Sequence, residues 1–388
     1  MSNKRVYIRG CGAITAVGNH QEEIALACHR GIAMPGSTIL PHCDEQPLPY
    51  YALPNEVEKS ANPHLYPLIN SAVDSAVHDA GLTADEIKQL PVFVGSTAGD
   101  ISDLESHYQH ALKQNNRINP IYRSGFGVLA EHVINRLQSN SQAFTFNTAC
   151  SSSANALLIA MRMIALGRCE NALILGVETR NQMSLQGFNS MMLLSPKGSQ
   201  PFDKAREGTV LGEGVGAIIL SRHKPTSSSF MTPDPYYCMG GTNLVDSVNV
   251  TSSSGAMIAA VIQQALNDTA TSPADVDIIK AHGTSTPAND SAEAEGMRQV
   301  FEGNIPPFTS LKPYLGHTLG ACGVLEAVVL LACIKNNFIP ATPNFTTIDE
   351  ACGCAPLTQP HPFSGGNIML NHFGFGGNNT SLIISNRP

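Results

Sequence analysis

The sequence is poor in charge. Asp, Glu, Lys and Arg make up 14% of its 388 residues, against roughly 25% in an average globular protein. The 23 basic and 31 acidic side chains leave a formal net charge of −8. No run of basic residues occurs, which argues against nucleic-acid binding by bulk electrostatics. Long apolar stretches are missing as well. The two most apolar segments, Ala154–Leu166 and Leu319–Ile334, are interrupted by Arg162 and Glu326. Both fall short of the ~18 uncharged residues of a membrane helix, so no membrane span is expected. The opening MSNKRVYIRGCGAITAVG carries charge but no long apolar run before a cleavage site, and no signal peptide is expected. Ten cysteines include no CxxC pair, and neither zinc-ligand spacing nor HExxH occurs. No metal centre is therefore expected, and a reduced, cytoplasmic thiol population is the simplest reading. No repeat recurs at a fixed period.

Apolar residues, at 43%, are enough for a large core and exclude general disorder. The length suits about two or three units of ordinary domain size, and so little charge suggests surface buried against a second subunit. Short apolar runs alternate with helical patterns. Arg5–Arg9, Val92–Gly95, Ala143–Asn147, Ala172–Gly176 and Gly216–Leu220 read as strands, as do Asp277–Ala281, Asn367–Asn371 and Thr380–Ile384. Ser71–Ala80, closed by Gly81, reads as a helix, and Ala154–Leu166 and Ala256–Asn267 carry helix-period stripes. The alternation predicts an α/β protein with a mixed, helix-covered sheet. His223–Thr242, rich in Pro, Ser and Thr, reads as the connection between two α/β halves.

Four segments could carry chemistry. In Asn147-Thr148-Ala149-Cys150-Ser151-Ser152-Ser153 a strand ends, a turn of small residues follows and a helix begins. Cys150 would sit at the helix N-terminus, where unpaired N–H groups and the helix dipole favour a thiolate and can hold an oxyanion. Its alternative is a buried cysteine with a serine cap. In Ala281-His282-Gly283-Thr284-Ser285-Thr286, His282 follows a strand end, where α/β active sites gather. Downstream, Asp290 reads as a helix N-cap with Glu293 as its capping-box partner. Lys312, His317 and Glu326 lie within fifteen residues of otherwise low-charge sequence. Asn371-His372-Phe373-Gly374-Phe375-Gly376-Gly377 implies a turn whose backbone N–H groups can approach a ligand. It is not GxGxxG, and Gly212-Glu213-Gly214-Val215-Gly216 leads into a strand, the wrong order for a dinucleotide turn. One potential cysteine nucleophile, two histidines, a lysine and a glycine-rich turn suit acyl transfer through a thioester.

These motifs are collinear with those of a known family. NTACSSSANAL around Cys150, PFDKAREGTVLGEGVGAIIL (Pro201–Leu220), AHGTSTPANDSAE, LKPYLGHTLGACGVLEA and NHFGFGGNN together resemble the β-ketoacyl-acyl carrier protein synthases of the condensing-enzyme family, elongating Cys-His-His type. The resemblance implies a thiolase-like five-layer αβαβα fold from two similar halves, here 1–240 with the nucleophile and 241–388 with both histidines. It implies that Cys150 takes an acyl chain from the 4'-phosphopantetheine arm of an acyl carrier protein, with no further cofactor. His282 and His317 would assist decarboxylation of malonyl-carrier protein and stabilise the enolate before Claisen condensation. Cys150 and Phe373 would supply oxyanion-hole N–H groups, with Phe373 as gate. Lys312 and Glu326 match the supporting polar network. Thr284, Thr286, Phe375 and Asn371 match substrate contacts. The implied partners are a carrier protein and either a second copy or a chain-length-factor subunit, in fatty-acid or polyketide (including aryl-polyene) biosynthesis. Rival readings are a coenzyme A-dependent enzyme of the same fold, a non-catalytic chain-length factor and a decarboxylase without condensation.

Several positions depart from the family pattern. Asn249 stands where a histidine is common, His372 where serine is common and Asp100 where glycine is usual. The basic residues expected before the Ser71 helix are replaced by Asn62-Pro63-His64-Leu65-Tyr66-Pro67. Lys204, Arg206, Arg117 and Arg123 remain as candidates for docking an acidic carrier protein.

Overall fold

The first strand runs further than its apolar opening suggests. Val6–Ile14 (β1) continues past the expected end at Arg9 through Gly10-Cys11-Gly12, a site of close approach. A Cβ on Gly12 would lie 2.2 Å from the Ala72 carbonyl oxygen of helix Leu65–Ala80 (α1). The structure, a computed structural model, describes residues 5–32, 34–40, 47–53, 65–114, 124–225, 234–247 and 253–387. Asn249, Arg117, Arg123 and the segment 62–64 lie outside the described residues.

Nine more strands join β1: Val92–Gly95 (β2), Ala143–Phe146 (β3), Asn171–Glu178 (β4), Gly214–Ser221 (β5), Tyr237–Val245 (β6), Ile278–Lys280 (β7), Phe308–Thr309 (β8), Asn367–Phe373 (β9) and Asn378–Ser385 (β10). The hydrogen-bonded order is β8-β7-β9-β10-β6-β1-β5-β4-β2-β3. Outward from the middle the two halves follow one plan. β1–β5–β4 and β6–β10–β9 are antiparallel, then β4–β2–β3 and β9–β7–β8 are parallel. The halves meet in the short antiparallel pairing Val6↔Cys238 and Tyr7↔Tyr237.

Helices supply the other layers. α1 and Gly127–Leu137 (α2) cover the outer face of the first half; Gly255–Thr269 (α4) and Pro287–Val300 (α5) cover that of the second. Between the two halves of the sheet lie Ser152–Ala165 (α3) and Cys322–Lys335 (α6). Residues 322–334 of α6 are all buried, as an all-round apolar helix must be. Its single acid, Glu326, therefore needs partners. The result is the five-layer αβαβα, thiolase-like arrangement, with a central core shared by both halves and one outer core in each.

Two local expectations are corrected. The connection is shorter than His223–Thr242, because Tyr237 already begins β6; Tyr and Cys pack a strand that the preceding Pro and Ser obscure. Asp290 is not an N-cap. Thr286 caps α5 and Pro287 takes its first turn, which places Asp290 inside the helix. Among the described residues no helix is long and apolar enough to cross a membrane.

Candidate active site

The turn at Cys150 is held by its own small polar residues. After β3, Ala149 takes the left-handed region (φ 52°), uncommon for a residue with a side chain. That turn places Cys150 one residue ahead of Ser151, the N-cap of α3. Ser152 Oγ donates to the Ala149 carbonyl at 2.6 Å and accepts from Thr148 N at 2.9 Å. Ser151 Oγ and Asn155 Nδ2 both donate to Asn378 Oδ1, at 3.0 and 2.8 Å. The Ser-rich stretch thus ties the Cys150 turn to the glycine-rich turn of the other half.

His282 follows β7 in a loop shaped by buried acids. Glu293 accepts from the backbone N–H groups of His282 and Gly283, each at 2.8 Å, and Asp290 from those of Phe202 and Ser285 at 2.9 and 3.1 Å. This is the actual work of the pair expected to form a capping box. Burial pushes the Glu293 carboxyl up to about 7 despite these donors. His317 is fixed by its backbone, which donates to Val210 O at 2.7 Å.

The side chains converge from both halves. His317 Nε2 lies 3.1 Å from Cys150 Sγ, and the His282 and His317 rings stand 5.4 Å apart at 84°. His317 Nδ1 meets no hydrogen-bond partner among the described residues. Cys150, His282, His317, Thr284, Thr286, Phe373 and Phe375 line one pocket, with Phe188, Thr209, Ser253 and Asn289 completing its wall. Its free volume is only ≈ 30 Å³. The Phe188 and Phe375 rings stack across it, 5.7 Å apart at 12°.

The Phe375 backbone N–H donates to the Cys150 sulfur. The Phe373 ring packs against His282 at 5.9 Å. Asn371 does not line the pocket. It is buried in β9, its carbonyl accepting from Lys280 and its Oδ1 from Ser381. Lys312 and Glu326 lie behind the histidines. Lys312 Nζ donates to Glu326 Oε1 at 2.8 Å and to the His282 carbonyl at 2.6 Å.

The thiolate expectation is also corrected. Burial pushes the Cys150 thiol up to about 11, although the Lys312 charge and the Phe375 N–H pull it down. Burial, reinforced by the Lys312 ammonium, holds His282 and His317 well below the ordinary imidazole value. At neutral pH the pair is thus thiol and neutral imidazole. A desolvated anion costs more here than the helix terminus returns.

Of the docking candidates, Arg206 is buried and paired with Asp349, with Ser291 and the Asp203 carbonyl as further acceptors. Burial among acceptors makes it structural. Lys204 is exposed. Sequence reasoning missed Lys280, whose Nζ donates to Glu326 Oε2 at 2.6 Å. A lysine closing the apolar run Ile278-Ile279 just before His282 was the available signal. Among the described residues two clusters, Cys150–His282–His317 and His282–Cys322–His372, each hold three nitrogen or sulfur atoms within 4.8 Å of one another. The Lys312 and Lys280 ammoniums, each 3.4 Å from a ring nitrogen of His282 or His372, oppose a cation there.

Residues 58–226 match the family described as Beta-ketoacyl synthase, N-terminal domain, and residues 240–346 match Beta-ketoacyl synthase, C-terminal domain. The chain is 27% identical to 3-oxoacyl-[acyl-carrier-protein] synthase 2 of Coxiella burnetii, covering 99% of each chain. Among solved structures it resembles the ishigamide ketosynthase/chain length factor (TM-score 0.86, 25% identity, 100% of each chain). It also resembles the ketosynthase ApeO in complex with its chain length factor ApeC from Xenorhabdus doucetiae (TM-score 0.84, 27% identity, 98% of each chain).

Proposed function

The chain belongs to the beta-ketoacyl synthase family, and within it we infer that this protein is a 3-oxoacyl-[acyl carrier protein] synthase that elongates an acyl chain by decarboxylative Claisen condensation, in fatty-acid or polyketide biosynthesis. The observation that carries this reading is the Cys150–His317 contact at 3.1 Å beside His282 and under the Phe375 N–H.

The geometry supports three steps. In the first, the Cys150 sulfur attacks the acyl thioester of a carrier protein. Its proton passes to His317 Nε2 and on to the departing pantetheine thiolate, so no net charge is left in the apolar site. In the second, malonyl-carrier protein occupies the pocket, with Thr284 and Thr286 facing its pantetheine arm. The carboxylate leaves as carbon dioxide, and its electron pair forms an enolate whose oxygen accepts from His282 Nε2–H and from His317 once its ring proton has exchanged from Nδ1 to Nε2. Neutral imidazoles suit this: each has one N–H to donate and adds no cation to the buried site. In the third, the enolate carbon attacks the acyl-Cys150 carbonyl, the oxyanion accepts from the Cys150 and Phe375 N–H groups, and the C–S bond breaks to release the β-ketoacyl product, the leaving Cys150 thiolate taking up one solvent proton by way of His317 Nε2 to restore the thiol. Each step is an acyl, carbon-dioxide or proton transfer for which these side chains suffice; the phosphopantetheine arrives on the carrier protein. Because the free space is ≈ 30 Å³, an acyl chain enters only when the Phe375–Phe188 stack opens, which gives the gate role to Phe375.

A second subunit is the natural complement. Among the described residues β3 ends the sheet with an open edge of partly exposed residues, and Tyr108, Leu112, Met183 and Met192 are all more than half exposed. Such an edge invites pairing. A second copy or a chain-length-factor-type partner would cover it, and Cys150 makes this chain the catalytic member of either pair. Lys204 is the described cation we assign to carrier docking.

The test is reconstitution with acyl- and malonyl-carrier protein, alone and with a candidate partner subunit. Formation of the β-ketoacyl-carrier protein supports the reading. Acylation from coenzyme A with no use of malonyl-carrier protein would replace it with a coenzyme A-dependent reaction.

A further inference from the structure

Glu326 is held on both sides by lysine. Its Oε1 accepts from Lys312 at 2.8 Å and its Oε2 from Lys280 at 2.6 Å, and all three side chains are buried. The lysines use their other N–H groups in the same way. Lys312 donates to the His282 carbonyl at 2.6 Å and lies 3.4 Å from His282 Nδ1. Lys280 donates to the Asn371 carbonyl at 2.7 Å and lies 3.4 Å from His372 Nδ1. An ammonium can only donate, so both Nδ1 atoms accept and the ring proton of each neutral imidazole sits on Nε2. Two lysines and one glutamate leave a formal charge of +1 behind the pocket.

We propose that Lys280 is a positioning residue. With Glu326 and Lys312 it forms a clamp of net charge +1 that fixes His372 and, across the shared carboxylate, His282 as Nε2–H donors. The synthase reading explains Lys312, Glu326 and His282; Lys280 and His372 are unused by it, yet they repeat the same three-point arrangement on the other oxygen of Glu326. The His372 and His282 rings are 6.4 Å apart, and His372 Nε2 meets no partner among the described residues. The groups facing these rings and the thiol are Lys280 and Lys312, Glu326 and Cys322 of α6, Cys150, Glu293 of α5 and Glu178 at the end of β4. The clamp's uncompensated charge opposes imidazolium formation; burial and both lysines hold His372, like His282 and His317, well below the ordinary value.

The geometric part stands by itself; its catalytic consequence rests on the synthase reading. The experiment therefore has two readouts on the full chain. In protein labelled with 15N-histidine, long-range 1H–15N correlation reads which ring nitrogen bears the proton, with His282→Gln and His372→Gln used for assignment. Both rings should be Nε2–H near neutral pH, and Nδ1–H on either in the native protein overturns the proposal without any variant. In Lys280→Met, His372 should show mixed tautomers. The second readout is the pH profile of malonyl-carrier protein decarboxylation. Lys280→Met should move its acid limb up by roughly one pH unit or more, the effect of a unit charge a few ångströms away at an effective dielectric near 20. Lys280→Met/Glu326→Gln restores a net +1 and should bring the limb back. A uniform loss at every pH with unchanged tautomers overturns the proposal as a merely structural effect. If native protein decarboxylates nothing, the synthase reading fails while the tautomers still decide the clamp.

Discussion

Cys150 should be a slow nucleophile in the resting protein, and its rate should follow pH steeply. Burial lifts its thiol to about 11 from an ordinary 9.0. Two units correspond to about 2.7 kcal/mol of disfavoured ionisation. At pH 7.5 the thiolate fraction is then on the order of 10⁻⁴–10⁻³, about a hundredfold below that of an unperturbed thiol. Alkylation by chloroacetamide, followed at the Cys150 peptide by mass spectrometry, should rise about tenfold per pH unit between roughly 7 and 10. Lys312→Met removes the positive charge that does most to offset burial at the sulfur and should slow alkylation further, by about tenfold or more. A rate that is flat from pH 6.5 to 9 would refute the reasoning. It would mean a standing thiolate–imidazolium pair, with His317 already carrying the thiol proton instead of taking it during attack.

Other consequences can be measured separately. His282→Ala should lower malonyl-carrier protein decarboxylation by roughly 10²–10⁴-fold while acylation of Cys150, which uses His317, stays within about tenfold; single-turnover mass measurements separate the two. Gly377 holds φ at 72°, and a Cβ there would lie 1.8 Å from the Asp246 carbonyl oxygen. Gly377→Ala should accordingly cost about 4 kcal/mol or more, read as a large fall in melting temperature. Arg206→Met leaves Asp349 and Asp290 without their cation. It should destabilise by about 3–5 kcal/mol without changing carrier affinity per folded molecule. Lys204→Glu should do the reverse: unchanged melting temperature and weaker, more salt-sensitive carrier binding.

The convergence of the candidate site residues was legible because each sits in a local motif that dictates its backbone. The turn at Cys150, the loop after β7 and the approach to α6 are short segments whose small residues specify where one side chain points. What escaped depends on contacts between distant segments. Asp290 and Glu293 have the spacing of a cap, but Thr286 and Pro287 start the helix earlier, and the freed carboxylates hold the His282 loop. The helix-terminus argument for a Cys150 thiolate was sound locally and lost to burial between the two halves, which no local pattern reports. Phe373 and Phe375 are two residues apart in one motif; only the turn decides which N–H meets the sulfur. Arg206 looked like a docking cation until its partners, some 80 to 140 residues away, were seen. Lys280 stayed hidden because a lysine ending a strand usually reaches solvent, whereas here Glu326 arrives from α6 to receive it. The fold was legible from the alternation of strands and helices, while the length of β1 was not, because Gly10 and Gly12 serve helix packing instead of a turn.

The most direct test of the central claim is intact mass after incubation with a panel of acyl-carrier proteins, with Cys150→Ala alongside. The account predicts a gain of one acyl group on the native chain and none on the variant. Subsequent malonyl-carrier protein should discharge it as the β-ketoacyl product. No gain from any donor, or an equal gain on Cys150→Ala, would contradict Cys150 as the acyl-bearing nucleophile.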